Sequence, residues 1–292
     1  MSQILKKFVY SLVAVSVVYL VLLLWPANNR VADIPFYASN SFNVIAHGNG
    51  RALSPGNTLE AAEVALSVGT DILELDIHLT ADNILVVRHD ETIDSTTNGS
   101  GRIAEMTLAE LSRFEVGFHK YDYPDKVAER GIRIPTLESL FERFPNNRFL
   151  IELKPLGTEA GEALCRLVRE YKLFHQVLVG SFHSNVLRDF RHKCPEIPTS
   201  LGEEEVRRMV ILSWFGLGHL YDPPGYSVQV PLEQDGIKIV TEPVLETARK
   251  LNLKLEVWTV NNAQVMADLI HLGVDGIITD RPDLLDRVLN KN

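Results

Sequence analysis

From Phe42 onward, short apolar runs of strand character alternate with amphipathic stretches of helical period. Such alternation over about 250 residues admits a (β/α)8 TIM barrel or an open doubly wound sheet. Strands are predicted at Asn43–Ala46, Ile72–Leu79, Ile84–Arg88, Arg148–Leu153, Val177–Ser181, Thr199–Leu201, Ser227–Val230, Lys254–Val260 and Gly276–Thr279. These outnumber the places in an eight-stranded barrel by one. Ile72–Leu79 and Ile84–Arg88 flank Asp82-Asn83, a turn pair, and are expected to form a hairpin. A helix over Leu59–Ser67 is expected behind an N-cap at Asn57, with Glu60 three residues on. Thr107 and Glu110 form a capping box ahead of Leu108–Phe114. Pro243–Leu251 and Ala263–Leu272 carry apolar residues at helical spacing. Residues 115–133 lack such patterning and are expected to form a lobe over one end of the barrel.

The chain has 292 residues, enough for one large core or two ordinary ones. An apolar fraction of 46% excludes a disordered chain. A net charge of −9 argues against a nucleic-acid partner, which needs basic surface. Two cysteines exclude a disulfide-rich scaffold and a cysteine-ligated zinc module. Cys165 and Cys194 fall on or near helices after successive strands. An oxidising compartment would permit their pairing, and two separately buried thiols is the simpler reading.

The N-terminus departs from this pattern. Phe8 to Trp25 is an uncharged apolar run, FVYSLVAVSVVYLVLLLW. As a helix it spans roughly 27 Å, close to the bilayer's hydrocarbon core. Lys6 and Lys7 precede it, and Tyr10 and Trp25 suit the two interfaces. A core helix normally keeps a polar stripe, which this run lacks. No small-x-small cleavage site follows, so an uncleaved transmembrane anchor is favoured over a signal peptide. Two lysines before the run against Arg30 after it suggest that the body faces the extracytoplasmic side. The expected organisation is a cytoplasmic tip and anchor over 1–27, a tether over 28–41, and the barrel over 42–292.

Strand Ile72–Leu79 bears most directly on chemistry. Side chains alternate along a strand, so Glu74, Asp76 and His78 share one face. Two carboxylates on a buried face are costly unless a divalent cation offsets them, and oxygen ligands suit Mg2+ or Ca2+. The same alternation fits an antiparallel strand with one wet face. Strand Arg148–Leu153 repeats the pattern with Glu152 and Lys154, a third carboxylate beside a cation. Its simpler reading is a salt bridge with a surface helix. His47 and His89 each follow a predicted strand, where barrels place their chemistry. Two imidazoles there can supply a general acid and a general base.

These residues belong to a longer ordered set. Ile45-Ala46-His47, Pro55-Gly56-Asn57-Thr58, Glu74-Leu75-Asp76 and His89-Asp90 through Thr96-Thr97 come first. Ile134-Pro135-Thr136-Leu137-Glu138, Ile151-Glu152-Leu153-Lys154, Val257-Trp258-Thr259-Val260-Asn261 and Gly276-Ile277-Ile278-Thr279-Asp280 follow. In this order they resemble the glycerophosphodiester phosphodiesterase family over residues 42–289. The resemblance implies a (β/α)8 barrel that cleaves glycerophosphodiesters to an alcohol and glycerol 3-phosphate. It implies a divalent metal on Glu74, Asp76 and Glu152, and His47 and His89 as the acid/base pair. It also implies Lys154 at the phosphate and Trp258 lining the substrate cleft.

Three positions depart from the family pattern. Gly48 stands where the family usually has Arg, Gly56 where it has Glu, and Ser95 where it has Arg. Arg51 and Arg88 are the candidates to replace the lost cation. The alternatives to the phosphodiesterase are a lysophospholipase D, or a sphingomyelinase-D-like enzyme, acting on lipid at the membrane, and a non-catalytic lipid-binding barrel. Met209–Tyr221, the most apolar stretch of the body, would suit an acyl groove or the membrane interface. Its simpler reading is an outer helix packed on the sheet.

Overall fold

The computed structural model describes residues 3–38, 42–117 and 131–290. In chain order, its regular elements begin with helix α1 (Gln3–Leu24), strand β1 (Asn43–Ala46), helix α2 (Leu59–Ser67), and strands β2 (Ile72–Leu79) and β3 (Leu85–Val87). Helices α3 (Leu108–Leu111) and α4 (Leu137–Arg143), strand β4 (Arg148–Leu153), helix α5 (Glu159–Tyr171) and strand β5 (Val177–Gly180) follow. Next come α6 (Ser184–Lys193), α7 (Glu203–Trp214) and β6 (Ser227–Pro231), then a short ribbon of β7 (Glu233–Gln234) and β8 (Ile237–Lys238). The chain closes with α8 (Glu242–Leu251), β9 (Lys254–Trp258), α9 (Ala263–Leu272), β10 (Gly276–Thr279) and α10 (Pro282–Leu289).

Seven parallel strands run in the order β5-β4-β2-β1-β10-β9-β6. Thr199 bridges in parallel to Val179 of β5, and Ser200 to Ser227 of β6. The predicted strand Thr199–Leu201 therefore takes the eighth place and joins the two edges of a (β/α)8 barrel. The expected hairpin is present: β3 pairs antiparallel with β2, and Asn83 takes φ 61° in the turn between them.

Alternation sorts the strand residues into two layers. Leu73, Leu75, Ile77, Phe149 and Ile151 point outward and pack on Ala62, Ala65, Leu140 and Leu164 of the helices. Ile45, Ile72, Leu150, Leu178 and Ile278 point inward and pack with Phe36 and Tyr37. Within the stretch 28–41, then, Phe36 and Tyr37 close the floor of the barrel and are almost fully buried. Tyr37 Oη donates to Glu256 Oε1 at 2.9 Å inside that floor, and Gln229 Nε2 donates to Glu256 Oε2 at 2.9 Å.

Local signals place several caps. Thr107 and Glu110 make the expected capping box, though α3 is shorter than predicted and ends at Leu111. The N-cap of α2 is Thr58, whose Oγ1 accepts from Ala61 N, and not Asn57. Asn57 instead sits at φ 59° with its side chain drawn to Asp76. The irregular stretch 115–133 lies largely outside the described residues. Its described ends meet through Val116 N donating to the Ile132 carbonyl at 3.0 Å, and both join a satellite core with Ile93, Ile103 and Leu111.

Cys165 on α5 and Cys194 at the end of α6 form a disulfide, which corrects their reading as separate thiols. Packing of α5 on α6 brings their Cα atoms to 6.1 Å, within the range a disulfide spans. Sequence spacing carries no information about that approach. Helix α1 is apolar and long enough to cross a membrane, and none of it is buried in the body.

Candidate active site

β2 and β4 run in register, with Asp76 opposite Glu152. Paired positions in a parallel ladder point to the same face, so both carboxylates line the barrel interior. Glu74 lies two residues earlier on that face. Glu74, Asp76 and His78 are each less than a tenth exposed, which excludes the wet-face reading. The three carboxylates bring one oxygen each to within 4.8 Å of one another. Lys154 follows β4 and spans two of them, with Nζ 2.9 Å from Asp76 Oδ1 and 3.0 Å from Glu152 Oε1. Its partners are therefore inside the barrel and not on a surface helix.

This crowding shows in the titration of the groups. Burial and the neighbouring charge of Asp76 push Glu74 up to about 8. Glu152 is raised for the same two reasons. Burial would raise Asp76 too, but the charge of Lys154 outweighs it and holds Asp76 below its ordinary value. Burial would lower Lys154, and Asp76 and Glu152 together raise it instead. A set of three hard oxygen donors, one pushed toward its neutral form, fits a divalent cation.

The two histidines flank this set. His47 follows β1, and Asp280 follows β10. Their strands are paired up to Ala46 and Thr279, so the next residues stand side by side. His47 Nδ1 lies 2.6 Å from Asp280 Oδ1. Burial alone would lower His47, but the hydrogen bond to Asp280 and the charge of Glu74 raise it. Burial is likewise outweighed at Asp280, which His47 and Arg51 hold below its ordinary value. An ionised Asp280 accepts only, so Nδ1 carries the proton and Nε2 is left for chemistry. His89 repeats the arrangement, with Nδ1 2.7 Å from Asp90 Oδ1. Asp90 in turn accepts from Ser95 Oγ, so the serine at that departing position steadies the carboxylate. His78 Nε2 lies 3.1 Å from the His89 carbonyl, which ties the His89 loop to β2.

Sequence reasoning missed Asp280, Asn261, Asn57 and Asp90 as site residues. Asn261 Nδ2 donates to Asp280 Oδ2 at 2.6 Å, and Asn57 Nδ2 donates to Asp76 Oδ2 at 3.0 Å. Asp90 adjoins His89, and Asn57, Asn261 and Asp280 stand within the ordered motifs, which mark the family without giving those side chains a role. Gly48 N donates to Glu74 Oε2 at 2.7 Å from a left-handed turn with φ 50°, which a glycine adopts without strain. Of the two candidate cations, Arg88 is buried, whereas Arg51 is a third exposed with Nε 3.1 Å from Asp280 Oδ1. A Cβ at Gly56 would stand 2.6 Å from Arg51 Cβ, so Gly56 opens the space that Arg51 occupies. Trp258 packs edge-on against Phe182 at 5.5 Å, and Lys154 Nζ lies 5.9 Å from the Phe182 ring centre. The two rings form an aromatic wall beside the charged set.

A parallel barrel carrying two carboxylate-backed imidazoles around an acidic cluster at its C-terminal rim is the frame of an acid–base hydrolase. The chain belongs to the glycerophosphoryl diester phosphodiesterase family, whose model matches residues 47–284. It is 34% identical over 258 residues to a glycerophosphodiester phosphodiesterase of Caldanaerobacter subterraneus subsp. tengcongensis, covering 85% of this chain and 98% of that one. A glycerophosphodiester phosphodiesterase of Bacillus subtilis is 30% identical, covering 84% and 85%. The crystal structure of a glycerophosphodiester phosphodiesterase from Agrobacterium tumefaciens superposes with a TM-score of 0.67 at 26% identity, covering 83% of this chain and 98% of that one.

Proposed function

We propose that this protein hydrolyses glycerophosphodiesters to an alcohol and glycerol 3-phosphate through His47 and His89, with Glu74, Asp76 and Glu152 as metal ligands. The observation that carries the reading is the matched pair of imidazoles, each backed by its own carboxylate, around three inward carboxylates. Glu74, Asp76 and Glu152 would hold a divalent cation, which when bound would supply positive charge at the phosphate. Oxygen donors favour Mg2+ or Ca2+ in this role.

The chain's own groups do the rest. One imidazole takes the proton from the attacking hydroxyl as its oxygen bonds phosphorus: water gives glycerol 3-phosphate directly, whereas the neighbouring glycerol hydroxyl gives a cyclic phosphodiester that a water then opens to glycerol 3-phosphate. The bond from phosphorus to the alcohol oxygen breaks, and the other imidazole gives that oxygen a proton. Asp280 and Asp90 hold each ring with Nε2 toward the substrate. Lys154 and Arg51 are read as the cations that meet the phosphate, and Trp258 as a wall of the cleft.

Chelator-sensitive release from glycerophosphocholine tests this, with lysophosphatidylcholine as the comparison. Full turnover by a His47→Ala or His89→Ala protein would overturn the mechanism. Release from the lysolipid alone would move the protein to the lysophospholipase D reading. No release from either, in folded protein, would leave a binding module.

Helix α1 is read as a membrane anchor, with the body on the extracytoplasmic side. Its bare apolar surface and the disulfide, which persists in oxidising compartments, support this. Resistance of the full chain to alkaline extraction from membranes tests the anchor.

A further inference from the structure

Among the described residues, the C-terminal part of helix α1 meets the barrel beside the end of α7. Tyr19 Oη donates to the Phe215 carbonyl at 2.8 Å, and Leu23 packs against Gly216. His219 Nε2 lies 3.2 Å from the Leu22 carbonyl, which also accepts from Trp25 N at 3.3 Å in the last turn of the helix. Every residue of α1 from Gln3 to Val21 is exposed to solvent, and Leu22 and Leu23 are partly covered.

The surface around this meeting point is apolar. Ile211, Trp214 and Phe215 are 44%, 42% and 60% exposed. They lie at the end of α7, whose opposite face buries Met209, Val210 and Ser213. The stretch Met209–Tyr221 is thus an outer helix on one side and an uncovered apolar patch on the other.

Chain direction places the patch at the base of the barrel. α7 runs back from the C-terminal rim toward the start of β6, so Trp214 and Phe215 lie at the N-terminal rim. The chain leaving α1 enters at the same rim. Val31 N donates to the Leu251 carbonyl at 3.0 Å, and Arg30 Nη2 donates to Asn252 Oδ1 at 3.0 Å, both where α8 leads into β9. His47, Lys154, Trp258 and Asp280 stand at the opposite ends of their parallel strands, and His89 reaches the same level from β3, which runs antiparallel to β2. Along β1 alone, four residue steps from Asn43 to His47 separate the two rims by roughly 13 Å.

We propose that the base of the barrel is a membrane-seating surface, with Ile211, Trp214 and Phe215 inserted into the bilayer that α1 crosses and the catalytic mouth opening to water on the far side. This rests on the reading of α1 as an anchor. Tyr19 lies five residues before Leu24, about 7 Å of helix rise. Phe215 is held at that level, inside the ~5–10 Å depth at which apolar faces rest in the headgroup region. Tryptophan favours the same level. The occupant is lipid because the uncovered patch is continuous with a helix that is itself apolar and bare. The arrangement also selects among substrates. Water-soluble, deacylated diesters reach the mouth from solution, whereas a lysolipid in the anchoring bilayer lies at the wrong end of the barrel.

The three tryptophans mark three levels: Trp25 just past α1, Trp214 at the base and Trp258 at the mouth. The test uses the full chain in phosphatidylcholine–phosphatidylglycerol vesicles, in three forms that each keep one tryptophan and carry Phe at the other two positions. Lipids brominated on the upper acyl carbons quench residues at the interface, and acrylamide quenches those in water. Trp214 should be quenched by brominated lipid at least as strongly as Trp25, and Trp258 by acrylamide alone. Quenching of Trp25 without Trp214 overturns the seat while leaving the anchor intact. Quenching of Trp258 by brominated lipid overturns the orientation. A chain that does not float with the vesicles overturns the anchor reading itself. If the Trp258→Phe forms fail to fold, the loss of lipid quenching between the native chain and Trp214→Phe decides the seat.

Discussion

Asp280 Oδ1 lies 2.6 Å from Nδ1 of His47, across 233 positions of sequence. The carboxylate holds the ring in one tautomer and raises its affinity for a proton. An amide at this position can donate to Nδ1 and so favour the other tautomer. Asp280→Asn is expected to lower kcat by roughly 10²–10⁴-fold, the range of general acid–base contributions, with little change in KM. The limb of the pH–rate profile that belongs to His47 should move to lower pH.

Metal binding should be visible in stability. Mg2+ or Ca2+ is expected to raise Tm progressively with concentration, and Glu74→Gln or Glu152→Gln should abolish the response. Because Glu74 is held up to about 8 in the free protein, binding must expel its proton. Metal affinity, followed by calorimetry in buffers of differing ionisation heat, should therefore rise as pH approaches about 8.

Arg51 and Gly56 should behave as one device. Arg51→Ala removes a charge-assisted contact to phosphate and is expected to raise KM by roughly tenfold, with a smaller effect on kcat. Gly56→Glu needs the space beside Arg51 Cβ and should raise KM in the same way. In the double variant the two effects should fail to add, and additive losses would separate the residues.

Glu256 gives the barrel floor a pH dependence. Burial pushes it up to about 7, despite the hydrogen bonds from Gln229 and Tyr37 that pull it down. Its folded value therefore lies above its unfolded one, near 4.5. The folded state binds the extra proton, so this contribution is full below about 4.5 and is lost as pH rises to about 7. The shift corresponds to roughly 3 kcal/mol. Glu256→Gln keeps the shape without titrating. The stability of the native chain relative to this variant, measured by urea unfolding, should fall across that window.

Reduction of the Cys165–Cys194 disulfide opens a loop of 29 residues. The chain-entropy cost of that loop is about 3–4 kcal/mol. A Cys165→Ala/Cys194→Ala protein is expected to melt roughly 5–10 °C lower. The disulfide links outer helices and touches none of the charged set, so glycerophosphocholine turnover at 25 °C should be unchanged.

Much of the site was legible because its pattern is local. Glu74 and Asp76 share a face through the period of one strand, and Glu152 and Lys154 through that of another. The order of short motifs then marked the family. Asn57 shows where local reading stops. Next to a helix start it reads as an N-cap, yet its side chain bonds Asp76 and the cap passes to Thr58. The two sites compete for one side chain, and the pairing inside the barrel wins.

By itself, the sequence determined the strands, the β2–β3 hairpin, the inward carboxylates and the bare apolar helix, because hydrophobic period and turn chemistry act over a few neighbouring residues. Tertiary structure decided which carboxylate backs His47, how Lys154 bridges Asp76 and Glu152, and that Cys165 meets Cys194. It also decided that Phe36 and Tyr37 form the floor and that α1 joins the barrel at the end opposite its mouth. Each of these depends on closure of the barrel and on helix packing, which bring together residues separated by tens to more than two hundred positions and leave no period in the chain.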